Sequence, residues 1–573
     1  MRCGRRGGLL CVVGLGCLAL AAVVSPVFAD SALKASSQQA ISIDAREQLR
    51  QQERERALQL QNTPQVDEHL LPPAGSPSDY PADESPCFVI DSLRLTGDSA
   101  AGFQWALDAA AGATGRCLGG RGIVTAVNQI QNAILAEGYV TTRVVAQEQD
   151  LTRGVLVLTL LPGRIGDIRF DEPVSWRGRL WNAIPASSGA LLNLRDIEQG
   201  LENFKRVPSA DADIRITPGQ RGGSSDLLVS WQERRPVRLS IGLDDSGSDS
   251  TGRYLGSATL AVDAPFAHND LFYANVGRNV FQQGPFGNRS NALNYVFPAG
   301  YWTVSATYNN YVYHQNIPNA NEVLRYSGKS ASLQVSVSRL IHRNQSHKTT
   351  VNLRVYRKYA TNAVNEIDIE QQRRRTAGWE FGVSQRNYLG GATLDANIAW
   401  RHGIGAFGAI AAPEEASGSG SARGGALSGE VSFDQPFVLG AQRWRYLATV
   451  RGQWSPDALT PQDRMAIAGR YTVRGFDGEQ MLSGEHGLLW RNELAWNAFS
   501  QTDALYVAAD YGWVGGQGAR YLVGRWLAGG ALGVRGALWK RLGYDAFAGV
   551  PLRKPHDFQT SGLTVGFSVN LEI

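Results

Sequence analysis

The sequence predicts a mainly β protein, in which a sixteen-stranded transmembrane antiparallel β-barrel is preceded by two small α/β domains and an N-terminal helix. Residues 236–573 alternate between apolar and polar positions over about sixteen segments, which is the period of a β-strand. Glycine (64 residues) and aromatic residues (14 Trp, 19 Tyr and 19 Phe) are abundant. No apolar run of about 18 or more residues follows the first thirty positions, which argues against a membrane protein built of helices.

The alternation is clearest in residues 302–309, 333–338 and 351–356, where every second side chain is apolar. A water-soluble sandwich also alternates. The polar face here suits a wet lumen, and aromatic residues cluster near strand ends as they do at the membrane interfaces of a barrel, so the pattern favours a membrane barrel. The last segment, 563–573, is amphipathic in the manner of outer-membrane barrels, although Ile573 stands where such barrels usually have an aromatic residue.

Residues 1–29 have the pattern of a signal peptide, with a basic start, the unbroken apolar stretch Leu9–Val24 and small residues before Asp30. A short membrane anchor is the alternative.

Residues 30–61 are expected to form an N-terminal helix, strongest over 38–61. Its apolar residues are sparse, so it either fills a water-lined pore or remains a solvated tail. Residues 62–86 contain six prolines and are expected to be an extended linker, not a packed element.

Residues 87–162 and 163–235 each predict a small α/β domain with the order strand, helix, helix, strand, strand. The predicted strands are 88–95, 139–146 and 155–161, then 164–170, 212–217 and 226–232; the predicted helices are 103–111 and 122–136, then 174–184 and 195–206. A three-stranded sheet leaves an unpaired edge where an extended segment of another protein can add a strand. We expect strand 226–232 and helix 195–206 to form the walls of that groove.

Two cysteines remain once the predicted signal peptide is removed, Cys87 and Cys117. Two cysteines in an exported protein are expected to pair in an oxidising compartment. Closing this loop contributes roughly 3–4 kcal/mol in the chain-entropy model. We therefore predict a disulfide between Cys87 and Cys117.

Signals for catalysis, metal binding and cofactor binding are absent from the sequence. The net charge is only +4, so charge gives no reason to expect a nucleic-acid partner. The eight histidines show no metal-binding spacing, and two cysteines cannot form a four-thiolate zinc site. Gly328-Lys329-Ser330 resembles the end of a phosphate-binding loop, but Val323 occupies the position of its required first glycine. We expect no enzyme activity, and any transport must proceed without ATP hydrolysis by this chain.

Several segments resemble one known family. CFVIDSLRL (87–95), EGYVTTRVV (137–145) and TLLPGRIG (159–166) resemble the first POTRA domain of the haemolysin secretion/activation proteins, the TpsB transporters of two-partner secretion typified by ShlB and FhaC. The block RYTVRGFDGEQMLSGEHGLLWRNEL (470–494) resembles the family's long sixth extracellular loop and the strand that follows it. The resemblance spans nearly the whole mature chain in the right order.

The resemblance implies an outer-membrane location, with a plug helix, two POTRA domains in the periplasm and a sixteen-stranded barrel. It implies export of one large β-helical exoprotein of the TpsA type, such as a haemolysin, adhesin or contact-dependent toxin, recognised through its N-terminal secretion domain. Outer-membrane lipid and, during biogenesis, the barrel-assembly machinery are the other expected partners.

The resemblance also carries over a lumenal site. Arg474, within Val473-Arg474-Gly475-Phe476, matches the loop arginine that reaches into the lumen. Asp510 matches the inward aspartate of a strand motif that continues to Gly512, although Ala508 replaces the family's phenylalanine. Alternation independently places Ala508, Asp510 and Gly512 on one face. Arg491 and Glu493 lie on the strand after the loop. The alternative for Arg474 is a solvated loop arginine.

Two other classes of outer-membrane protein share parts of this domain organisation. Barrel-assembly factors such as BamA and TamA also combine POTRA domains with a barrel, but they usually carry more POTRA domains and lack the helix and proline-rich linker. A passive porin or ligand-gated importer does not account for the two α/β domains.

Overall fold

The computed structural model describes residues 43–61, 66–70, 79–281, 284–318, 322–497, 500, 502–539 and 541–573. The predicted signal peptide, 1–29, lies outside the described residues, as do residues 30–42 and parts of the linker. The N-terminal helix, α1, covers residues 43–61. No helix in the described part of the chain is long and apolar enough to cross a membrane.

The first α/β module consists of a three-stranded sheet covered by helices. Its elements are β1 Phe88–Val89, β2 Ser92–Thr96, a 3-10 helix Ala100–Ala113, β3 Cys117–Leu118, α2 Gly120–Ala136, β4 Arg143–Ala146 and β5 Val155–Leu161. The sheet order is β2-β5-β4, and β1 pairs separately with β3. Ile130 and Ile134 of α2 are fully buried against Leu156 and Leu158 of β5. The predicted disulfide is confirmed: Cys87 and Cys117 are bonded, with their Cα atoms 5.3 Å apart.

The second module has the same strand order but one helix fewer than expected. Its elements are β6 Arg164–Phe170, α3 Leu194–Lys205, β7 Ala210–Pro218 and β8 Ser224–Glu233. The helix predicted over 174–184 is wrong, because this segment forms turns. Its polar groups bind the barrel instead: Asn182 Nδ2 donates to the carbonyl of Pro298 at 2.9 Å, and the N–H of Gly300 donates to the carbonyl of Asn182 at 2.7 Å.

The sheet order of the second module is β6-β8-β7, so the strand predicted over 226–232 is central. It pairs in parallel with β6 and antiparallel with β7. Our expectation that this strand borders an open groove is therefore wrong, because both of its edges are used. Among the described residues, the outer edges of the sheet are those of β6 and β7.

The remaining strands form the barrel and one inserted hairpin. They are β9 Val237–Asp244, β10 Leu255–Asp263, β11 Leu271–Asn279, β12 Gly287–Ala299, β13 Trp302–Pro318, β14 Val323–Arg343, β15 His347–Val364, β16 Ile367–Asp368, β17 Arg374–Leu389, β18 Ala392–Ile404, β19 Gly425–Leu439, β20 Gln442–Trp454, β21 Met465–Ile467, β22 Leu482–Gly484, β23 His486–Asn497, β24 Ala504–Gly515, β25 Trp526–Leu538, β26 Leu542–Arg553 and β27 Thr564–Glu572. Short 3-10 turns occur at Glu370–Gln372, Pro413–Ser417 and Pro461–Asp463.

The barrel is closed and antiparallel. In the described chain, sixteen strands pair with their neighbours in sequence order, and β16 is a short extension beside β15. Five residue pairs, from Ser568–Asp244 to Glu572–Ser240, join β27 to β9 and complete the ring. Among the described strands, closure leaves no exposed sheet edge in the membrane, where an unpaired backbone group costs several kcal/mol. The predicted sixteen-stranded barrel is confirmed.

Part of the linker is packed, contrary to the expectation of an extended segment that is not a packed element. The backbone N–H groups of Glu68 and Leu70 donate to the carboxylates of Glu202 and Glu198 on α3, at 3.1 and 2.7 Å. Asp67 binds the base of the barrel, where its carboxylate accepts from the hydroxyl of Tyr388 at 2.7 Å. Residues 66–70 thus join the second module to the barrel through specific polar contacts, which proline content alone does not reveal.

Candidate functional site

The segment between β20 and β23 folds back onto the inner wall of the barrel. Within it, β21 pairs antiparallel with β22, and the intervening residues pack as a small apolar core. Val473 and Phe476 are fully buried there, and the ring of Phe476 meets Phe558 edge-on at 5.7 Å. The Val473–Phe476 motif is therefore part of a packed element, which we call the inner loop (residues 465–484).

Arg474 extends from the inner loop to the barrel wall, and its side chain is only 7% exposed. Its Nε and Nη2 donate to the two carboxylate oxygens of Asp510 on β24, each at 2.7 Å. Its Nη1 donates to Glu493 on β23 at 2.7 Å, and Nη2 also reaches the carbonyl of Asn492 at 3.1 Å. The guanidinium geometry suits two carboxylates held at fixed positions, which an ammonium group cannot match.

Arg491 and Arg535 complete the cluster in different ways. Arg491 lies opposite Asp510 in the strand register, but its Nε is 3.9 Å from that carboxylate. It donates instead to the carbonyl of Tyr471 in the inner loop at 3.3 Å. Arg535 on β25 pairs with Glu493. Arg535 and Tyr471 were not predicted from the sequence. Arg535 points inward from its strand, so the alternation of inward and outward side chains could have identified it.

Glycine residues allow the inner loop to lie flat on the wall. Gly475 has φ +93°, and a Cβ there would come within 2.3 Å of the carbonyl oxygen of Val550. On the wall, a Cβ at Gly512 would meet the side chains of Ile467 and Val473 at 2.9 Å. Gly512 is thus explained by close packing of the loop against β24.

Helix α1 lies inside the barrel and contacts both the inner loop and the wall. Arg46 Nη1 donates to the carbonyl of Glu479 in the inner loop at 2.6 Å. On the barrel wall, Arg451 of β20 makes two hydrogen bonds to Glu53, at 2.8 and 2.9 Å, and the Tyr313 hydroxyl of β13 donates to Asp44 at 3.0 Å. The helix is held mainly by polar contacts, as a water-lined lumen requires.

The helix and inner loop leave only part of the lumen open. Two polar cavities, of about 700 and 790 Å³, remain between α1 and the wall. The second is lined by Arg474, Arg491, Glu493 and Arg535, so the charged cluster faces the open part of the lumen.

Two α/β modules and a closed barrel whose lumen holds a polar helix and an inward-folded loop define an outer-membrane protein transporter. The haemolysin secretion/activation protein family ShlB/FhaC/HecB matches residues 223–536, the ShlB-type POTRA domain matches 88–163, and a further POTRA domain matches 164–218. The chain belongs to this family of two-partner secretion transporters. It is located in the outer membrane, with its POTRA domains in the periplasm.

Individual relatives support this assignment. The chain is 35% identical to the outer membrane transporter CdiB-2 of Burkholderia pseudomallei, over 87% of this chain and 88% of the relative. It is 25% identical to the hemolysin transporter protein ShlB of Serratia marcescens, over 68% and 69% of the two chains. Among solved structures, CdiB from Acinetobacter baumannii superposes with a TM-score of 0.81 at 32% identity, covering 93% of this chain and 99% of the other.

Proposed function

We propose that this transporter exports one large secreted exoprotein of the TpsA type, without ATP hydrolysis and without a chemical reaction of its own. The observation that carries the proposal is the charged, hydrogen-bonded contact between α1, the inner loop and the lumen wall. Such contacts can be exchanged for water, or for an extended polypeptide, with little exposure of apolar surface. A passive porin, which conducts small solutes through an open channel, does not require a helix such as α1 in its lumen.

Successive segments of the chain are assigned separate roles. We propose that residues 30–61 form the plug and 62–86 the linker. Residues 87–162 and 163–235 are the two POTRA domains, and 236–573 form the barrel. Outer-membrane lipid surrounds the barrel, and the barrel-assembly machinery inserts it. The Arg474 cluster holds the inner loop against the wall while the plug is in place.

Capture of the exoprotein is proposed at the edge of β7. The carbonyl of Ser209 accepts from the N–H of Arg234 at 2.8 Å, which marks a hydrogen-bonded pair of the β7–β8 ladder. Because such pairs alternate along antiparallel strands, the backbone groups of Ala212, Ile214 and Ile216 face away from β8. An extended segment can add a strand at this edge. The polar face of α3 does not form the second wall, because Arg343 and the linker cover it.

The test is co-expression of the full-length chain with the large exoprotein encoded beside it. We expect the exoprotein in the medium only when the transporter is present. An exoprotein that stays in the periplasm would refute secretion. A fall in the levels of unrelated outer-membrane proteins on depletion would instead indicate an assembly factor, and flux of small solutes alone would indicate a porin.

A further inference from the structure

The segment between β6 and α3 carries an aromatic and basic run, VSWRGRLW (residues 174–181), that neither the lumen nor the capture edge uses. Trp176 is 58% exposed and Trp181 is 63% exposed. Large exposed apolar side chains gathered on one segment mark a contact surface. We call residues 174–181 the tryptophan loop.

The tryptophan loop has a defined position beneath the barrel. Asn182, directly after it, is almost completely buried and bonds to Pro298 and Gly300 at the turn between β12 and β13. From the turn between β10 and β11, Asn269 Nδ2 donates to the carbonyl of Arg179 at 2.9 Å. The loop is therefore attached to two adjacent turns on the periplasmic side of the barrel.

Trp181 lies on the outer side of these turns, not on the lumenal side. Its ring centroid is 6.3 Å from that of Phe297 on β12. The inward side chains of β12 include Asn294, which is buried and bonds across to Thr307. Alternation then places Tyr295 and Phe297 on the outer, lipid-facing surface. Trp181 consequently packs beside a lipid-facing residue.

A band of aromatic residues continues from Trp181 around this part of the barrel. The ring of Phe266, which is 64% exposed, stands edge-on to Tyr295 at 5.7 Å. On the other side, Trp302 is exposed at the start of β13, and the guanidinium of Arg339 lies 4.9 Å from its ring centroid. Aromatic girdles of this kind mark the membrane–water interface. Trp181 extends the girdle, although it belongs to the periplasmic module.

The charges beside this band suit an anionic surface. Arg179 and Arg339 are exposed, and among the described residues no carboxylate pairs with either guanidinium. Arg177, by contrast, pairs with Glu233 at 3.5 Å. Unpaired cations next to an aromatic girdle are positioned to contact the phosphates of lipid headgroups.

We propose that the tryptophan loop is a membrane-contact site, which rests on the periplasmic leaflet and takes anionic phospholipid headgroups as its ligand. Trp181 enters the interfacial layer in continuity with the barrel girdle, and Arg179 binds headgroup phosphates. The contact sets the inclination of the second POTRA domain beneath the pore. This site is independent of the identity of the exported protein.

The test uses the full-length protein in phosphatidylethanolamine–phosphatidylglycerol vesicles that contain brominated phospholipids. The emission of Trp181 is obtained by subtracting the spectrum of Trp181→Phe from that of the native protein. Trp105, which is exposed on the first POTRA domain, provides the matched control through Trp105→Phe. We expect brominated lipid to remove most of the Trp181 emission and to spare that of Trp105. Emission from Trp181 that is quenched by aqueous acrylamide as strongly as that of Trp105, and unaffected by brominated lipid, would overturn the proposal and leave the loop free for a protein partner.

A charge reversal tests the headgroup class separately. Arg179→Glu leaves the backbone carbonyl bonded by Asn269 and is expected to fold. In phosphatidylglycerol vesicles it should weaken quenching of Trp181 by brominated lipid, whereas in vesicles of neutral lipid it should have little effect. Equal quenching of native protein and variant in both vesicles would refute recognition of anionic headgroups.

Discussion

The carboxylate of Asp510 accepts three hydrogen bonds from the single residue Arg474: from its backbone N–H at 3.0 Å, from Nε at 2.7 Å and from Nη2 at 2.7 Å. The aspartate therefore fixes the path of the inner loop as well as the direction of the arginine side chain. On the other side of the guanidinium, the carboxylate of Glu493 accepts a hydrogen bond from Nη1 of Arg474.

Substitution at either end of this pair is expected to leave the barrel assembled and to impair secretion. Breaking a buried pair costs about 3–5 kcal/mol because one charge is left without a partner, and water in the lumen reduces that cost. Arg474→Ala and Asp510→Ala should both reduce export, and Arg474→Lys should reduce it too, because lysine cannot reproduce the planar bidentate geometry of the guanidinium. Secretion of the exoprotein, with heat-modifiable gel mobility as the assembly check, measures both outcomes.

A double-mutant cycle on secretion distinguishes the pair from two independent residues. Strong coupling between Arg474→Ala and Asp510→Ala is expected, and fully additive losses would show that each acts alone. Arg445→Lys is the matched control, because Arg445 also binds an aspartate, Asp434, through both carboxylate oxygens but at an exposed site.

Loss of the disulfide is expected to destabilise the first POTRA domain only. Replacing Cys87 and Cys117 by serine should lower its free energy of unfolding by about 3–4 kcal/mol. Hydrogen exchange of α2 amides in urea measures this change, with β25 of the barrel as the internal control. In mature native protein, denatured without reduction, thiol labelling should find no free cysteine, and two reactive thiols would contradict the bond.

Removal of α1 is expected to widen the conducting path while secretion is largely retained. Deletion of residues 30–61 should raise single-channel conductance in planar bilayers, because the helix occupies the lumen. Arg451→Ala, which removes both bonds to Glu53, should raise the open fraction. The control is Arg56→Ala, since its pair with Glu430 is exposed and such pairs contribute about 0–1 kcal/mol. An unchanged conductance after deletion would refute the proposal that α1 plugs the lumen.

Blocking the edge of β7 is expected to weaken capture of the exoprotein. Ile216→Pro removes an N–H that faces away from β8, so the ladder within the sheet is retained. Ile216→Val preserves the N–H and serves as the control. We expect the proline variant to bind the exoprotein's N-terminal domain less tightly than the valine variant. Equal binding by the two variants would place the capture site elsewhere.

The contact between the linker and the barrel is expected to resist mild acid. Burial favours a raised pKa for Asp67, but the hydrogen bond and charge of Lys348, with Tyr388 and Arg386, outweigh it and lower the pKa from 3.8 to about 2. A lowered pKa means that the stabilisation is complete above about pH 4 and is lost as the pH falls through about 2. The mobility of a nitroxide at Val66→Cys should therefore rise only below about pH 4. In an Asp67→Asn background this transition should disappear, and its persistence would assign it to another group.

Most of the barrel could be read from the sequence because lipid on one side and water on the other impose a period of two. The position of Asp510 on the inner face followed from the same rule. Arg474 required the motif around it, since alternation does not describe a loop. The disulfide followed from the count of cysteines and the expected compartment.

The errors arose where contacts between distant segments decide the structure. Residues 174–184 have helix-like apolar spacing. Asn182, however, bonds to two turns of the barrel, and these contacts determine the backbone conformation of the segment instead. The sequence pattern of strand 226–232 does not differ from that of the other strands of its module. Its central position in the sheet results from its parallel pairing with β6, which the pattern does not show. The packing of Asp67 and Leu70 depends on α3 and β15, which no local pattern in the linker indicates.

The polar character of α1 also sets the heat-capacity change expected for its proposed withdrawal from the lumen. Among its described residues, Ile43 and Leu49 are the apolar side chains that are buried. Heat-capacity changes follow the apolar area exposed to water, so we expect withdrawal of this helix to carry a small heat-capacity change. The equilibrium between the closed and open states should then give a nearly straight van 't Hoff plot. Its position should shift with ionic strength, because the contacts exchanged are between charges.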